Sequence, residues 1–431
     1  MNAGLWPRVA ASLSVLLVSA SAAATQPLED FLQRAKTHSF DAREAGASEQ
    51  QRQAEADAAF GRLTPSLSAR GVYTRNQEEV AAQFPGTPPR RLVITPLNQL
   101  DAFLQLDVPI IDLASYHRYK AASALAESAR EQRGATTIDV SRSVARAYYQ
   151  FVGASALVRS ARESIQASQA NLKNVEDRRA AGAATDLDYE RAAAAVARSE
   201  QELADAELGA ALAARSLETL SGLLPAPAES FAEDDLHAEG TLGAWLALAA
   251  SSAQPRVAQK LGEAAEQQRK AASRSLLPTL SGSAQERITN ATGFSGKNSS
   301  YTLQLVLAWR LDYATVKNSD AQSAALEVQR VRVERSKRAS EDAAFEAFRR
   351  VEAGVAKSRS ARAQAKAAAR AAELSQDRYA AGVATQLDVT QAQRDAFLAS
   401  AGKIQADADL AFARAALRLA AGVPVSDKRP R

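Results

Sequence analysis

Residues 377–388 read Asp377-Arg378-Tyr379-Ala380-Ala381-Gly382-Val383-Ala384-Thr385-Gln386-Leu387-Asp388. Two hundred residues earlier the chain reads Asp177-Arg178-Arg179-Ala180-Ala181-Gly182-Ala183-Ala184-Thr185-Asp186-Leu187-Asp188. Each stretch stops a helix and starts another. Gly182 and Gly382 permit the left-handed backbone of a tight turn. Thr185-x-x-Asp188 and Thr385-x-x-Asp388 fit the capping box that opens a helix, with the carboxylate suited to the positive helix end. A period of this length is far beyond the roughly 20–50 residues of a solenoid unit. The chain is therefore a duplicated half-protein, and each half carries the same helical hairpin.

Outward from these turns the pattern is regular. Residues Leu113 to Ala180 contain no proline and little glycine, which predicts one helix of about 100 Å at 1.5 Å per residue. A shorter helix follows over 186–221, ended by Gly222 and Pro225. The second half predicts helices over 313–380 and 386–421. Upstream of each long helix, helices over 27–62 and 256–277 are stopped by Pro65 and Pro278, and two strands follow. These span 66–75 and 101–111 in the first half, and 279–289 and 300–311 in the second. The last strand alternates most cleanly, with Tyr301, Leu303, Leu305, Leu307, Trp309 and Leu311 on one side. Loops join the strands, one containing Pro85-Gly86-Thr87-Pro88-Pro89 and the other spanning Gly293–Ser299. Residues 223–255 are less regular, with one apolar segment, Leu242–Ala250.

The division along the chain is thus a leader over 1–24, a first repeat over 25–222, an irregular segment over 223–255, a second repeat over 256–422 and a tail over 423–431. The leader has the marks of a cleaved secretory signal: Arg8, an apolar run from Val9 to Val18, and small residues at Ala20, Ala22 and Ala24. That apolar run is too short to span a bilayer as a helix, which needs about 20 residues. The chain has no cysteine, so neither a disulfide nor a lipid anchor on cysteine is expected. Its net charge of +4 over 431 residues is interleaved with acids, as on solvated helix faces, and excludes a nucleic-acid surface. Catalysis finds no support. His38, His117 and His237 are scattered, and no phosphate loop or nucleophile motif occurs, so no enzyme activity, cofactor or metal is expected.

The fold class is mainly α with a small β part. Each strand is about 10 residues, the length of a tilted bilayer-crossing strand, but four strands cannot close a barrel that needs about eight. Several identical chains can. Tyr73, Phe103, Tyr301 and Trp309 are then candidates for an interfacial aromatic girdle.

The pattern resembles the TolC-like outer-membrane efflux channels. The resemblance is carried by Arg378–Val389 with Gln391-Ala392-Gln393, by the weaker copy Arg178–Tyr189, and by the duplicated helix–strand–strand–helix order. It implies a homotrimer with a twelve-stranded barrel in outer-membrane lipid and a long α-barrel through the periplasm. It also implies an irregular belt at mid-height. The implied function is the exit duct of a tripartite efflux or type I secretion system, docked to a periplasmic adaptor (membrane fusion) protein and an inner-membrane pump. Asp188, Asp388 and Tyr379 would belong to the periplasmic gate. Gly182, Thr185, Leu187, Gly382, Thr385 and Leu387 would meet the adaptor. Gln391 and Arg191 stand where a second tip aspartate can occur in the family, which weakens the expected cation selectivity. The alternative is a soluble periplasmic coiled-coil adaptor or scaffold.

Overall fold

The computed structural model describes residues 26–86, 88–226 and 233–425. The signal peptide expected over 1–24 and the end of the tail, 426–431, lie outside the described residues.

Two short helices, α1 (Leu28–His38) and α2 (Phe40–Gly61), replace the single helix expected over 27–62. Ser39 divides them. Its backbone is extended and its Oγ accepts from the Ala42 N–H at 3.3 Å, so it caps α2. The break frees α1 to lay Phe31, Leu32 and Ala35 on a core that includes Val144, Phe151 and Leu217.

The strands of the first half are β1 (Ser66–Arg75), β2 (Val80–Phe84), β3 (Arg90–Thr95) and β4 (Asn98–Ile111). β2 and β3 form a separate antiparallel hairpin where the sequence reading has a plain loop. The long helices follow: α3 (Leu113–Ala180) and α4 (Asp186–Ser221). In the segment expected to be irregular, α5 (Leu242–Ala250) and the start of α6 (Ala253–Arg274) are helical. The second half continues with β5 (Thr279–Thr289), β6 (Ser299–Ala308), α7 (Tyr313–Ala380) and α8 (Gln386–Ala420). Aspartates open both 68-residue helices. Asp112 Oδ1 accepts from the Ser115 N–H at 2.8 Å, and Asp312 Oδ1 from the Thr315 N–H at 2.7 Å.

The main sheet has the order β1-β4-β5-β6, antiparallel throughout. Register sorts its side chains onto two unlike faces, because partners across a ladder share a face. Tyr73, Leu100, Leu104, Leu106, Leu303 and Leu305 share one face, with Ala69 and Ala284 between them. Arg70, Gln105, Asp107, Arg287, Gln285 and Thr302 share the other. The first face is largely apolar, with Glu286 standing between Leu104 and Tyr301, and the other is polar.

Two girdle candidates sit elsewhere than the sequence reading has them. Phe103 pairs with Arg70 and Arg287 on the polar face, between guanidiniums 4.8 and 5.8 Å from its ring centre. Trp309 lies just past β6, which ends at Ala308, and its indole N–H donates to the Leu276 carbonyl at 3.0 Å. Tyr73 and Tyr301 lie on the apolar face.

Among the helices, α3 packs against α4 and α8, and α8 against α7. Nearer the sheet, α2 and α6 flank α3, and α6 meets α7. α1 and α5 lie outside this row, on α3/α4 and on α7 respectively. No helix among the described residues is long and apolar enough to cross a membrane.

Candidate functional site at the paired helical tips

The two helix–turn–helix tips lie together at the end of the helical row remote from the sheet. Each turn uses the same backbone device. Gly182 and Gly382 stand at φ +73° and +76°, which a side chain would strain. The Ala183 N–H reaches back to the Arg178 carbonyl at 2.7 Å, and the Val383 N–H to the Arg378 carbonyl at 2.9 Å. This is the closure of a helix end on a left-handed glycine.

Capping boxes open the next helices. Thr185 Oγ1 accepts from the Asp188 N–H at 3.2 Å, and the Thr185 N–H donates to Asp188 Oδ2 at 3.1 Å. The Thr385–Asp388 pair repeats this at 3.3 and 2.8 Å. Both threonine hydroxyls also donate to the aspartate Oδ2 at 2.7 Å. The bonds from Thr185, first the hydroxyl and then the N–H, hold the Asp188 carboxyl below its ordinary value. For Asp388 the Thr385 N–H contributes most and the hydroxyl next. Both groups are carboxylates at neutral pH, and both are already engaged in shaping their helix.

A small core joins the tips. Val175, Ala192, Tyr379 and Val389 are buried together, with Tyr189, Ala184 and Ala384 against them. The second tip contributes Tyr379 and Val389, and burial pushes the Tyr379 phenol pKa up. The Asp188 charge raises it further, and Arg178 opposes. The structure thus brings Asp188 and Tyr379 into one electrostatic neighbourhood, while Asp388 stays in its own cap.

Sequence reasoning missed the residue that ties the tips together. Arg178 donates from Nη1 to the Tyr379 carbonyl at 2.8 Å, and its guanidinium lies 4.6 Å from the Tyr379 ring centre. A second cation holds only its own hairpin: Arg179 pairs with Asp186 at 2.6 Å and stacks on Tyr189 at 4.9 Å. The available signal was Tyr379 itself, a tyrosine where the first copy has Arg179. Around the turns, Leu187, Val383 and Leu387 are exposed. Large apolar groups are thus left in solvent at both tips.

A second polar cluster lies at mid-height. Arg414, buried on α8, pairs with Asp234 at 2.7 Å, donates to Glu239 at 2.5 Å and donates to the His237 carbonyl at 2.9 Å. Burial works against this cation, yet Asp234 and Glu239 outweigh it and raise its pKa above the ordinary value. Arg362 bonds Asp407 at 3.0 Å and the Asp234 carbonyl at 2.8 Å. Together these clasp the segment after residue 232 onto α7 and α8. Asp234, Asp235 and His237 bring ligand-type atoms within 4.8 Å of one another. The cation among them is the Arg414 guanidinium, and His237 Nε2 faces it at 3.0 Å.

Comparison with family models matches residues 31–223 and 247–423 to one family, described as outer membrane efflux protein. No curated protein sequence matches the chain. Solved structures share its fold over nearly their whole length. The outer membrane protein VceC of Vibrio cholerae superposes with a TM-score of 0.75 at 20% identity, covering 93% of this chain and 97% of that one. The CmeC outer membrane channel of Campylobacter jejuni gives 0.77 at 13% identity, with 99% and 96% covered. The MtrE outer membrane channel of Neisseria gonorrhoeae, in its open state, gives 0.72 at 17% identity, with 93% and 90% covered.

Proposed function

Because the chain belongs to the outer membrane efflux protein family, we propose that three copies close into one outer-membrane channel, the exit duct of a tripartite efflux or type I secretion system. One observation carries this reading. The four-stranded sheet ends on two unpaired edges, β1 and β6, of ten residues each. Unpaired edges of that length recruit further strands. In an antiparallel sheet with an even number of strands, the two edges run in opposite directions. Copies joined β6 to β1 therefore keep the alternation, and three make twelve strands. The apolar face then meets lipid and the polar face lines the lumen. The row α4-α3-α8-α7 is likewise open at both ends and would close with its neighbours into an α-barrel.

On this reading the tips converge at the periplasmic end. Asp188, Asp388 and Tyr379 each occur three times there, and rings of carboxylates favour cations. The exposed Leu187, Val383 and Leu387, with the turns at Gly182 and Gly382, form the seat of a periplasmic adaptor. Thr185 and Thr385 support that seat as caps, since their hydroxyls are committed within the chain. Tyr73 and Tyr301 remain girdle candidates on the lipid face, with Trp309 just past the end of β6. The leader over 1–24 directs export.

The test is the native mass of the full chain extracted from purified outer membranes. A trimer of somewhat less than three times 45.7 kDa is expected, the leader over 1–24 having been removed. A monomer in the soluble periplasmic fraction overturns the duct and leaves a helical scaffold.

A further inference from the structure

At mid-height the four long helices enclose an open groove of about 1120 Å³, lined by α3, α4, α7 and α8 alone. Its position follows from helix periodicity. Val140, Val144, Ala147 and Phe151 of α3 face α1. Arg142, Arg146, Tyr149 and Gly153 line the groove. The second set is the first displaced by two residues, a rotation of about 200° at 3.6 residues per turn. The groove is therefore on the side turned away from α1, and in the proposed trimer that side is the lumen.

Two glycines set its floor. A Cβ on Gly153 would stand 3.2 Å from Ala408 Cβ, and one on Gly354 the same distance from Leu410 Cδ1. Their absence lets α3 and α7 close on α8. The floor so formed is apolar, with Leu157, Ile404 and Phe412.

The rim is cationic. Arg142, Arg146, Arg350 and Lys357 line it against Glu346 and Asp409. Arg142 is neutralised by Asp139 at 3.0 Å, and Arg350 by Glu346 at 2.5 Å. Asp409 accepts from Gln405 at 2.8 Å. Arg146 lies 4.9 Å over the Phe412 ring, and among the described residues neither Arg146 nor Lys357 is in a salt bridge. Arg146 over the Phe412 ring, together with Lys357, outnumbers the one lining carboxylate left without an ion-pair partner, Asp409, and this suits a ligand with a flat apolar body and an anionic head.

We propose that this groove is a binding shelf for amphiphilic organic anions within the duct, and hence a determinant of the cargo it passes; its placement in a lumen rests on the trimer proposed above. A cationic amphiphile of the same shape would meet repulsion at the rim. The shelf would hold cargo weakly, since several copies around one lumen must also release it.

The experiment uses the full-length protein in detergent and equilibrium dialysis with two probes, 1-naphthalenesulfonate and 1-naphthylmethylammonium. The sulfonate is expected to bind about one per chain, and the ammonium much more weakly. The double variant Arg146→Gln with Lys357→Gln should weaken sulfonate binding about tenfold, the loss of a charge-assisted contact. Both side chains are exposed, so the helical fold is retained, and circular dichroism checks it. Equal binding of the two probes, or an unchanged double variant, overturns the shelf. Native mass on the same samples separates the two readings. A trimer that ignores the sulfonate keeps the duct and removes the shelf, whereas a monomer that binds it keeps the groove and removes the duct.

Discussion

The two tips share a backbone and differ in what they do with it. Both have the left-handed glycine, the carbonyl closure and the capping box. In the first tip the variable positions hold a surface pair, Arg179 with Asp186, whose aspartate side chain is 83% exposed. The second tip has Tyr379 and Gln386 at those positions, 7% and 1% exposed. Duplication has kept the residues that the backbone requires and released the ones that face neighbours. Both hairpins enter the joint core, the first with Val175 and Ala192 and the second with Val389. The second adds Tyr379 to it, and Arg178 of the first reaches across to the Tyr379 carbonyl.

The largest break in this comparison comes from truncating the two counterparts. Tyr379→Ala empties the shared core and should cost about 3–5 kcal/mol, as for other buried aromatics. Arg179→Ala removes an exposed pair and should cost less than about 1 kcal/mol. Amide exchange over residues 172–192 and 375–392 reads both. Equal losses at the two positions would mean that the tips are held alike and that the joint core is not what distinguishes them.

The cross-tip bond is the next test. Arg178→Ala removes a charge-assisted hydrogen bond and a ring contact, about 1.5–3 kcal/mol of what ties one hairpin to the other. In planar bilayers its conductance should rise above that of the unaltered channel. Arg378→Ala, the same change in the other copy, should leave conductance near the unaltered value. If the two variants conduct alike, Arg178 does not restrain the tips.

What was legible in the chain follows from how local each cause is. Gly182, Thr185 and Asp188 act within seven residues, so the turn and its cap are readable from the sequence. The long helices are readable because Asp112, Asp312 and the glycines punctuate them. The β2–β3 hairpin was hidden because Pro85, Pro88 and Pro89 crowd its turn and its strands span only 5 and 6 residues. Phe103 was misread by residue type, although its parity with Gln105 and Asp107 already placed it on the polar face. Arg178 and the Arg414 clasp were out of reach for a different reason. Their partners lie about 200 and 180 residues away, and only the fold brings them together. A faint signal existed for the clasp, in Arg414 and Arg418 set among Leu410, Leu417 and Leu419 on a largely apolar helix end.

The finest difference between the tips lies in how each aspartate is held, and acid resolves it. Both carboxyls sit below the ordinary value of 3.8. A group whose pKa is lowered by folding adds stability above its unfolded value and loses it as pH falls through the folded one. Tip protection should therefore be level from neutral pH down to about 4 and decline below that. The two caps should then part on removal of their hydroxyls. Asp188 owes most to the Thr185 hydroxyl, whereas Asp388 owes most to the Thr385 N–H, which reaches it at 2.8 Å against 3.1 Å in the first tip. Thr185→Ala takes away the larger support and lets the Asp188 pKa rise towards its unfolded value, so protection over residues 183–192 should be lower at neutral pH and lose less on acidification than in the unaltered protein. Thr385→Ala leaves the larger, backbone support in place, so neutral-pH protection and its acid-dependent loss over 383–392 should both change less. Equal change at both tips would show that the hydroxyl, and not the N–H, is the common support, and would remove the last distinction between the two caps.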